Sequence, residues 1–360
     1  MSSTNTNRLK PIGLAFIRHW KAMILADNEP LHALAIAAAQ PWSDTLIVEQ
    51  VLKAAVSAIG TGDTGAALAA ARPLAEGFLD LVRPRSLIDR ILGLRQVPAN
   101  VSMLKVTGAA AAAWVGQGKP KPISAMAFER EVMELTKIVC GPIVVTQELV
   151  RAAGPIAELA LAHELARGVA QFGDKAFIDP SFGPVVGISP ASITHGITPI
   201  LSSGSSLAAV RADLKALFAG FVAADGALET AVLVMAAKTA LALGLLTDGG
   251  SPVFSTIGPR GGTLCGIPVF TTAACESAGS PGETFMVLFD PAQVLIADDG
   301  DLAVRSARHA SVEMSDTPTP GAVAQVSLWQ NGLQALLVER GISWRRTSDT
   351  GVAVLADVTY

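Results

Sequence analysis

The stretch PIAELALAHELARGVAQFGDKAFI, Pro155 to Ile178, decides how the rest of the chain is read. Pro155 follows Gly154 and suits the first turn of a helix, where its missing N–H has no partner to lose. Leu159, Ala162, Ala166, Val169 and Ala176 then fall on one stripe, with Leu161, Leu165 and Phe172 beside it. A single helix over this span is roughly 36 Å long at 1.5 Å per residue. Such a length suits a strut rather than a connector, and the flanking segments have to be organised around it.

Upstream, Val101 to Val145 is strand-like, and Pro98, Pro120, Pro122 and Pro142 exclude long helices. The run Gly116-Gln117-Gly118-Lys119-Pro120-Lys121 reads as a loop tip, so the whole is a long two-stranded excursion. Trp114 and Val115 stand just before that tip, far from any obvious core. They either fold back on the chain or dock on a neighbour. Lys119 and Lys121 are candidate intersubunit contacts, with solvated loop charge as the plain alternative. Further upstream, Arg72 to Arg95 is a basic, proline-punctuated connector: Arg72, Arg83, Arg85, Arg90 and Arg95 face only Glu76, Asp80 and Asp89. Residues 1 to 71 open on a polar stretch and become Ala-rich, with Leu46, Ile47, Leu52, Val56 and Ile59 at helical intervals, which predicts short helices.

Downstream, Pro180 to Ser206 is uncharged loop with short strands, followed by an amphipathic helix near Leu207 to Ala224 whose buried side is Val210, Leu214, Leu217 and Phe221. Ala231 to Met235 is an apolar run of strand length leading into a short helix, Lys238 to Leu246. Gly266 to Thr272 and Phe285 to Phe289 read as further buried strands, and Asp290-Pro291 turns the chain into Val294 to Ala297. Helices alternating with buried strands predict a compact α/β unit. Leu302 to Met314, Val323 to Trp344 and Val352 to Val358 are a strand-rich tail, with Asn331-Gly332 marking a hairpin or a bulge.

Composition narrows the function. The chain has 360 residues, 50% apolar and 16% charged, enough for one elaborate domain or two interleaved ones. A formal net charge of -4 gives no sequence-wide grip on nucleic acid, so contact with DNA has to be local or loose. Cys140, Cys265 and Cys275 form neither a disulfide framework nor a metal spacing, which suits a reducing cytoplasm. No export signal and no membrane-spanning segment is read from the sequence. Gly60, Gly62 and Gly65 match a dinucleotide fingerprint, with Asp80 at a tempting distance, but that motif needs a buried strand before it and here the periodicity is helical. His163-Glu164 begins like a zinc-protease helix, yet Arg167 stands where the second imidazole is required. His19, His32, His195 and His309 have no partner at ligand spacing and read as surface or interface histidines. Neither a nucleophile elbow nor a phosphate-binding Gly-to-Lys loop occurs. No catalytic, cofactor or metal residue is assigned, and the chain is read as a non-enzyme.

The order of these features, together with particular strings, resembles the major capsid protein family of tailed bacteriophages with the Hong Kong 97 capsid fold. The strings are FLDLVRPRSLIDRILGLR (Phe78–Arg95), GAAAAAWVGQGKPKPISAMAFE (Gly108–Glu129), LTKIVCGPIVVTQEL (Leu135–Leu149), AQFGDKAFIDP (Ala170–Pro180), GPVVGI (Gly183–Ile188) and the late run Asp290 to Trp344. The resemblance covers about residues 72 to 360 and implies an α+β fold. It implies an extended N-arm over 72–105, an E-loop hairpin over 106–135 that lies across an adjacent subunit, and a peripheral domain with the spine helix over 136–186. It also implies an axial domain over 187–300 and returning peripheral strands over 301–360, after a scaffold-like helical extension, cleaved or not, over 1–71.

The function implied is self-assembly into pentamers and hexamers of an icosahedral shell around double-stranded DNA bound without sequence specificity. The expected partners are further copies of the chain, a portal and a prohead protease, with assembly in the bacterial cytoplasm, the virion capsid as destination, and no cofactor. Some relatives join an E-loop Lys to a peripheral Asn with help from a Glu seven residues later. Here Lys119 or Lys121 and Asn331 are available, but Val338 holds the seventh place and Glu339 follows it. On a strand one residue of offset turns the side chain to the other face, so no such crosslink is expected. An encapsulin-like compartment shares the fold but usually lacks a long helical extension. A nucleotide-dependent enzyme using Gly60 to Gly65 is the alternative of another class.

Overall fold

The computed structural model describes residues 14–26, 29–40, 47–53, 78–106, 114–115, 117, 128–152, 155–224, 226–276, 284–315, 324–348 and 351–360. The chain divides into two compact units, each assembled from separated segments. The first takes Met1–Arg90, Ile138–Asp174 and Gly300–Gly341, and the second Ile91–Lys137, Lys175–Asp299 and Ile342–Tyr360.

The second unit is built on a seven-stranded sheet. Its order is Ile200–Leu201, Val352–Val358, Thr284–Phe289, Val232–Met235, Ile267–Thr271, Gly261–Leu264, Ile257–Gly258. Val232–Met235 and Thr284–Phe289 are buried at every position, which explains why their sequences are continuous apolar runs rather than alternating ones. Helix Leu207–Ala223 starts where the Ser206 side chain accepts the Ala209 N–H, and it buries Val210, Leu214, Leu217 and Phe221 as its periodicity predicts. These join Leu233, Met235, Met286, Leu288 and Leu355 in one apolar core. Helix Ala237–Leu245 adds Ala240 and Leu243 to the same core. At Cys265 and Gly266 both φ angles are positive, 52° and 85°, as a two-residue hairpin turn between Gly261–Leu264 and Ile267–Thr271 requires.

The first unit holds an Ala-rich helical module. Leu14–Leu25, Pro30–Ala39 and residues 47–53 are helical, and Ala15, Ala22, Ala26, Ala33, Ala37, Val48, Val51 and Leu52 pack together. The small side chains let helix backbones approach closely, and this is where the periodicity of Leu46 to Ile59 leads as far as residue 53. The strand Lys137–Thr146 neighbours Leu333–Arg346 in a four-stranded sheet. At Gly141 φ is +107°, and a Cβ there would stand 2.7 Å from the Leu336 carbonyl oxygen, so the position admits glycine alone without strain. The long helix runs Pro155–Ile178, and along it Ala162, Leu165, Ala166, Val169 and Ala170 are buried while Phe172 is exposed. Phe172 is therefore a correction: it sat beside the predicted stripe, and the turn that carries it presents Gly173 toward Ile138 instead.

Two further expectations change. Residues 78–91 are not an outstretched arm: 78–82 and Leu87–Arg90 are helical, and Phe78, Leu79, Val82, Leu87, Ile88 and Ile91 are buried. Apolar residues spaced three and four apart can bury one face on a helix, and the arginines hid that spacing in an average of composition. The last strand, Val352–Val358, does not stay with the other late strands but pairs antiparallel with Thr284–Phe289 and parallel with Ile200–Leu201. Its alternating apolar side chains complete the core of the second unit.

Candidate intersubunit surface

Of the excursion expected between Val101 and Val145, Ser102–Val106 pairs antiparallel with Phe128–Val132, Leu104 opposite Arg130, whereas Lys137–Thr146 belongs to the four-stranded sheet instead. The hairpin root is fastened by Asn100, whose N–H donates to the Met133 carbonyl at 2.8 Å and whose Oδ1 accepts the Leu135 N–H at 3.3 Å. Trp114 is fully exposed, at 105%, and so makes no packing contact with its own chain, whereas Val115 is 40% exposed. Lys119 and Lys121 lie outside the described residues, as does the Gly60 to Gly65 loop.

A groove of about 460 Å³ lies in the same unit as the hairpin. One wall is the hairpin root, Val132 to Glu134, and another is Pro184 to Gly187 with Ser189 to Ser192. Its floor is built by the end of the strand Leu333–Arg346. The Trp344 indole N–H donates to the Ala191 carbonyl at 3.0 Å, and the Arg346 guanidinium donates to the Ile193 and His195 carbonyls at 2.8 Å each. Phe177 meets the Trp344 ring edge-on at a centroid distance of 5.4 Å, which locks the indole that holds the wall. On that wall Val185 and Ser189 form an isolated antiparallel bridge around Gly187, whose φ is +72°. The tight turn forces consecutive apolar side chains outward: Val186 is 98% exposed, and Val185 and Ile188 are exposed beside it.

Sequence reasoning named this segment without reading it as an exposed apolar ridge. The signal was an apolar run, Val185 to Ile188, too short for a buried strand and bracketed by Pro184 and Pro190. A smaller cavity of about 330 Å³ is lined by Asp179, Asp357 and mainly apolar side chains, without a histidine, cysteine or lysine beside the two carboxylates. Among the described residues no three metal-capable side chains converge.

The shifted titrations are dispersed, and burial is the main cause of each. His19 is pushed down to about 4 by desolvation. Burial raises the Cys140 thiol, and burial, then the Asp213 carboxylate, raises the Tyr360 hydroxyl. None of the three lines either cavity. The arrangement is suited to contact between surfaces: an exposed aromatic, an exposed aliphatic ridge and a groove with fixed walls.

A family model described as the phage capsid family matches residues 66–320. The chain is similar to the capsid polyprotein of Pseudomonas phage PAJU2, 34% identical over 372 residues that cover 99% of this chain and 55% of that protein. It therefore spans about half the length of the curated relative it matches. Among solved structures, it is similar to one from Mycobacterium phage Cain, with a TM-score of 0.54, 18% identity and coverage of 75% of this chain and 89% of that one. A structure from Mycobacterium phage Adephagia gives 0.53 with 18% identity and coverage of 76% and 91%. A capsid of a native GTA particle gives 0.51 with 17% identity and coverage of 76% and 89%. At these identities the structures speak for the fold, and the fold is that of the Hong Kong 97 type.

Proposed function

The chain belongs to the phage capsid family, and from that premise we propose that it is the major capsid protein of a tailed phage or prophage. It assembles into pentamers and hexamers of an icosahedral shell enclosing double-stranded DNA. The observation that carries this reading is the 34% identity that extends over 99% of the chain to a capsid polyprotein. In this reading Val106 to Leu135 is the E-loop, Pro155 to Ile178 the spine helix and Gly187 to Gly300 the core of the axial domain. The net charge of -4 then means that DNA is enclosed rather than gripped, with counterions screening the phosphates. A portal and a prohead protease are further partners of such a shell, which forms in the host cytoplasm and ends in the virion. The chain acts by packing, not by catalysis.

Electron microscopy and sedimentation of the expressed protein test the proposal. Closed particles of megadalton mass are expected, and homogeneous dimers or tetramers under all assembly conditions would overturn it. The helical segments Leu14–Leu25, Pro30–Ala39 and 47–53 favour a capsid over an encapsulin-like compartment. Intact mass of shell subunits decides whether residues 1–71 are removed on maturation.

A further inference from the structure

We infer that the cavity of about 330 Å³ lined by Asp179 and Asp357 binds a small linear diamine, with one ammonium group on the Asp179 carboxylate, the methylene stem along the apolar walls and the second ammonium group at Asp357. The site goes beyond the capsid reading and does not rest on it.

Asp179 stands directly after the long helix, and its N–H donates to the Lys175 carbonyl at 2.9 Å. A helix C-terminus carries the negative end of the helix dipole, so it favours a cation and disfavours a carboxylate. The residue is nevertheless only 5% exposed. Its Oδ1 accepts the Ser181 N–H at 2.9 Å, but its Oδ2 is buried without a hydrogen-bond partner among the described residues. A buried carboxylate oxygen left unpaired is costly, and a charged donor that reaches it removes the cost. Neither Lys, Arg nor His lines the cavity, so no lining residue supplies that donor.

Asp357 reaches the same cavity through a bulge. The register steps from Thr284 opposite Val358 to Met286 opposite Leu355, which leaves Ala356 and Asp357 together against Phe285. Residues three apart on a regular strand face opposite sides, yet the bulge lets Leu355 and Val358 both enter the core. Asp357 takes a φ of +57° and is exposed, so one carboxylate is inside the cavity and the other at its rim. Among the described residues neither forms an ion pair.

The walls decide the class of cation. Ile197, Pro199, Phe285, Val354 and Ala356 present hydrocarbon, which packs against methylene groups as the stem of a lysine does. A calcium ion needs about six to eight oxygen ligands. Here the Thr284 hydroxyl already donates to the Val358 carbonyl and meets the Thr239 hydroxyl at 2.8 Å, and among the described residues no three metal-capable side chains converge. An ammonium group needs only three acceptors, and carboxylates hold it through charge-assisted hydrogen bonds. The volume lies at the lower end of the roughly 300–1,000 Å³ of small-ligand sites.

Calorimetric titration of the full chain with 1,5-diaminopentane tests this. One molecule per chain should bind with a dissociation constant below about 1 mM. Pentylamine should bind about tenfold or more weakly, and pentane-1,5-diol, the neutral isostere, should give no saturable heat. Asp179→Asn keeps an oxygen for the Ser181 N–H, and Asp357→Asn suits the left-handed backbone, so each removes a charge with the local fold retained. Each should weaken diamine binding about tenfold or more, with the unfolding midpoint in the absence of diamine and the circular dichroism spectrum showing a folded chain. Glu229→Gln, at an exposed acid of the same unit that does not line the cavity, should leave the affinity unchanged. Absence of saturable binding, equal binding of the diol, undiminished affinity in both Asn variants, or displacement of the diamine by submillimolar magnesium or calcium would each overturn the site and leave the capsid reading standing. Failure of the chain to form particles would sink that reading and leave the site standing.

Discussion

Arg340 and Asp89 form a two-bonded ion pair, Nη1 to Oδ2 and Nη2 to Oδ1, both at 3.1 Å, with side chains only 4% and 15% exposed. Removing one partner leaves the other charge in a dry site, so Asp89→Ala should cost about 3–5 kcal/mol in denaturant unfolding. The double change Asp89→Leu, Arg340→Met should recover most of that loss, and a double variant no better than Asp89→Ala would show that the pair is not the cause. His19 acts in the same way through titration. Its Nδ1 has no hydrogen-bond partner among the described residues, and burial lowers it from 6.5 to about 4. A depressed folded value means the unfolded chain takes up the proton first. Stability is thus fully present above about 6.5 and lost as pH falls toward 4, amounting to about 2 kcal/mol between pH 7 and pH 5. His19→Leu should flatten that part of the pH–stability curve, measured by urea midpoints at the two pH values. The sequence showed an ordinary histidine between Arg18 and Trp20, because burial is a property of what packs around a residue.

At the scale of elements, periodicity carried much of the information. The helix over Pro155 to Ile178 has the bounds the sequence predicts, since Pro155 opens it and Asp179-Pro180 cannot continue it. Helix Leu207–Ala223 depends on one cap: Ser206→Ala should lower stability by about 1 kcal/mol and Ser206→Gly by only a few tenths, read from thermal unfolding of the two variants. Equal losses would mean that the side chain does not cap. Where charge composition stood in for spacing, the helical pattern was lost. The arginines of Arg72 to Arg95 gave a connector, yet within that span the Leu87 N–H, at 2.6 Å, and the Ser86 hydroxyl, at 3.3 Å, both donate to the buried Asp174 carboxylate. That partner is 87 positions away from Leu87, which no local pattern reveals.

For the whole molecule, the geometry around Asn331 bears on covalent maturation. Asn331 Nδ2 donates to the Ser327 carbonyl at 2.8 Å, and Glu339 is held by Arg305 at 3.4 Å, one strand position beyond the place a helping carboxylate would need. Boiled, reduced particles should therefore run as a single chain in a denaturing gel, and a ladder of covalent oligomers would contradict this. The sequence alone determined the two longer helices and the buried apolar strands of the second unit and the place of the hairpin, because these follow from short-range spacing of apolar side chains and from prolines. Only the tertiary structure decided that Val352–Val358 crosses into the seven-stranded sheet, that Trp344 and Arg346 fix the wall bearing Val186, and that Phe78 to Ile91 is buried. Strand partners and burial are set by residues distant along the chain, through hydrogen bonds and apolar contacts that pay for their ordering only when the whole unit closes.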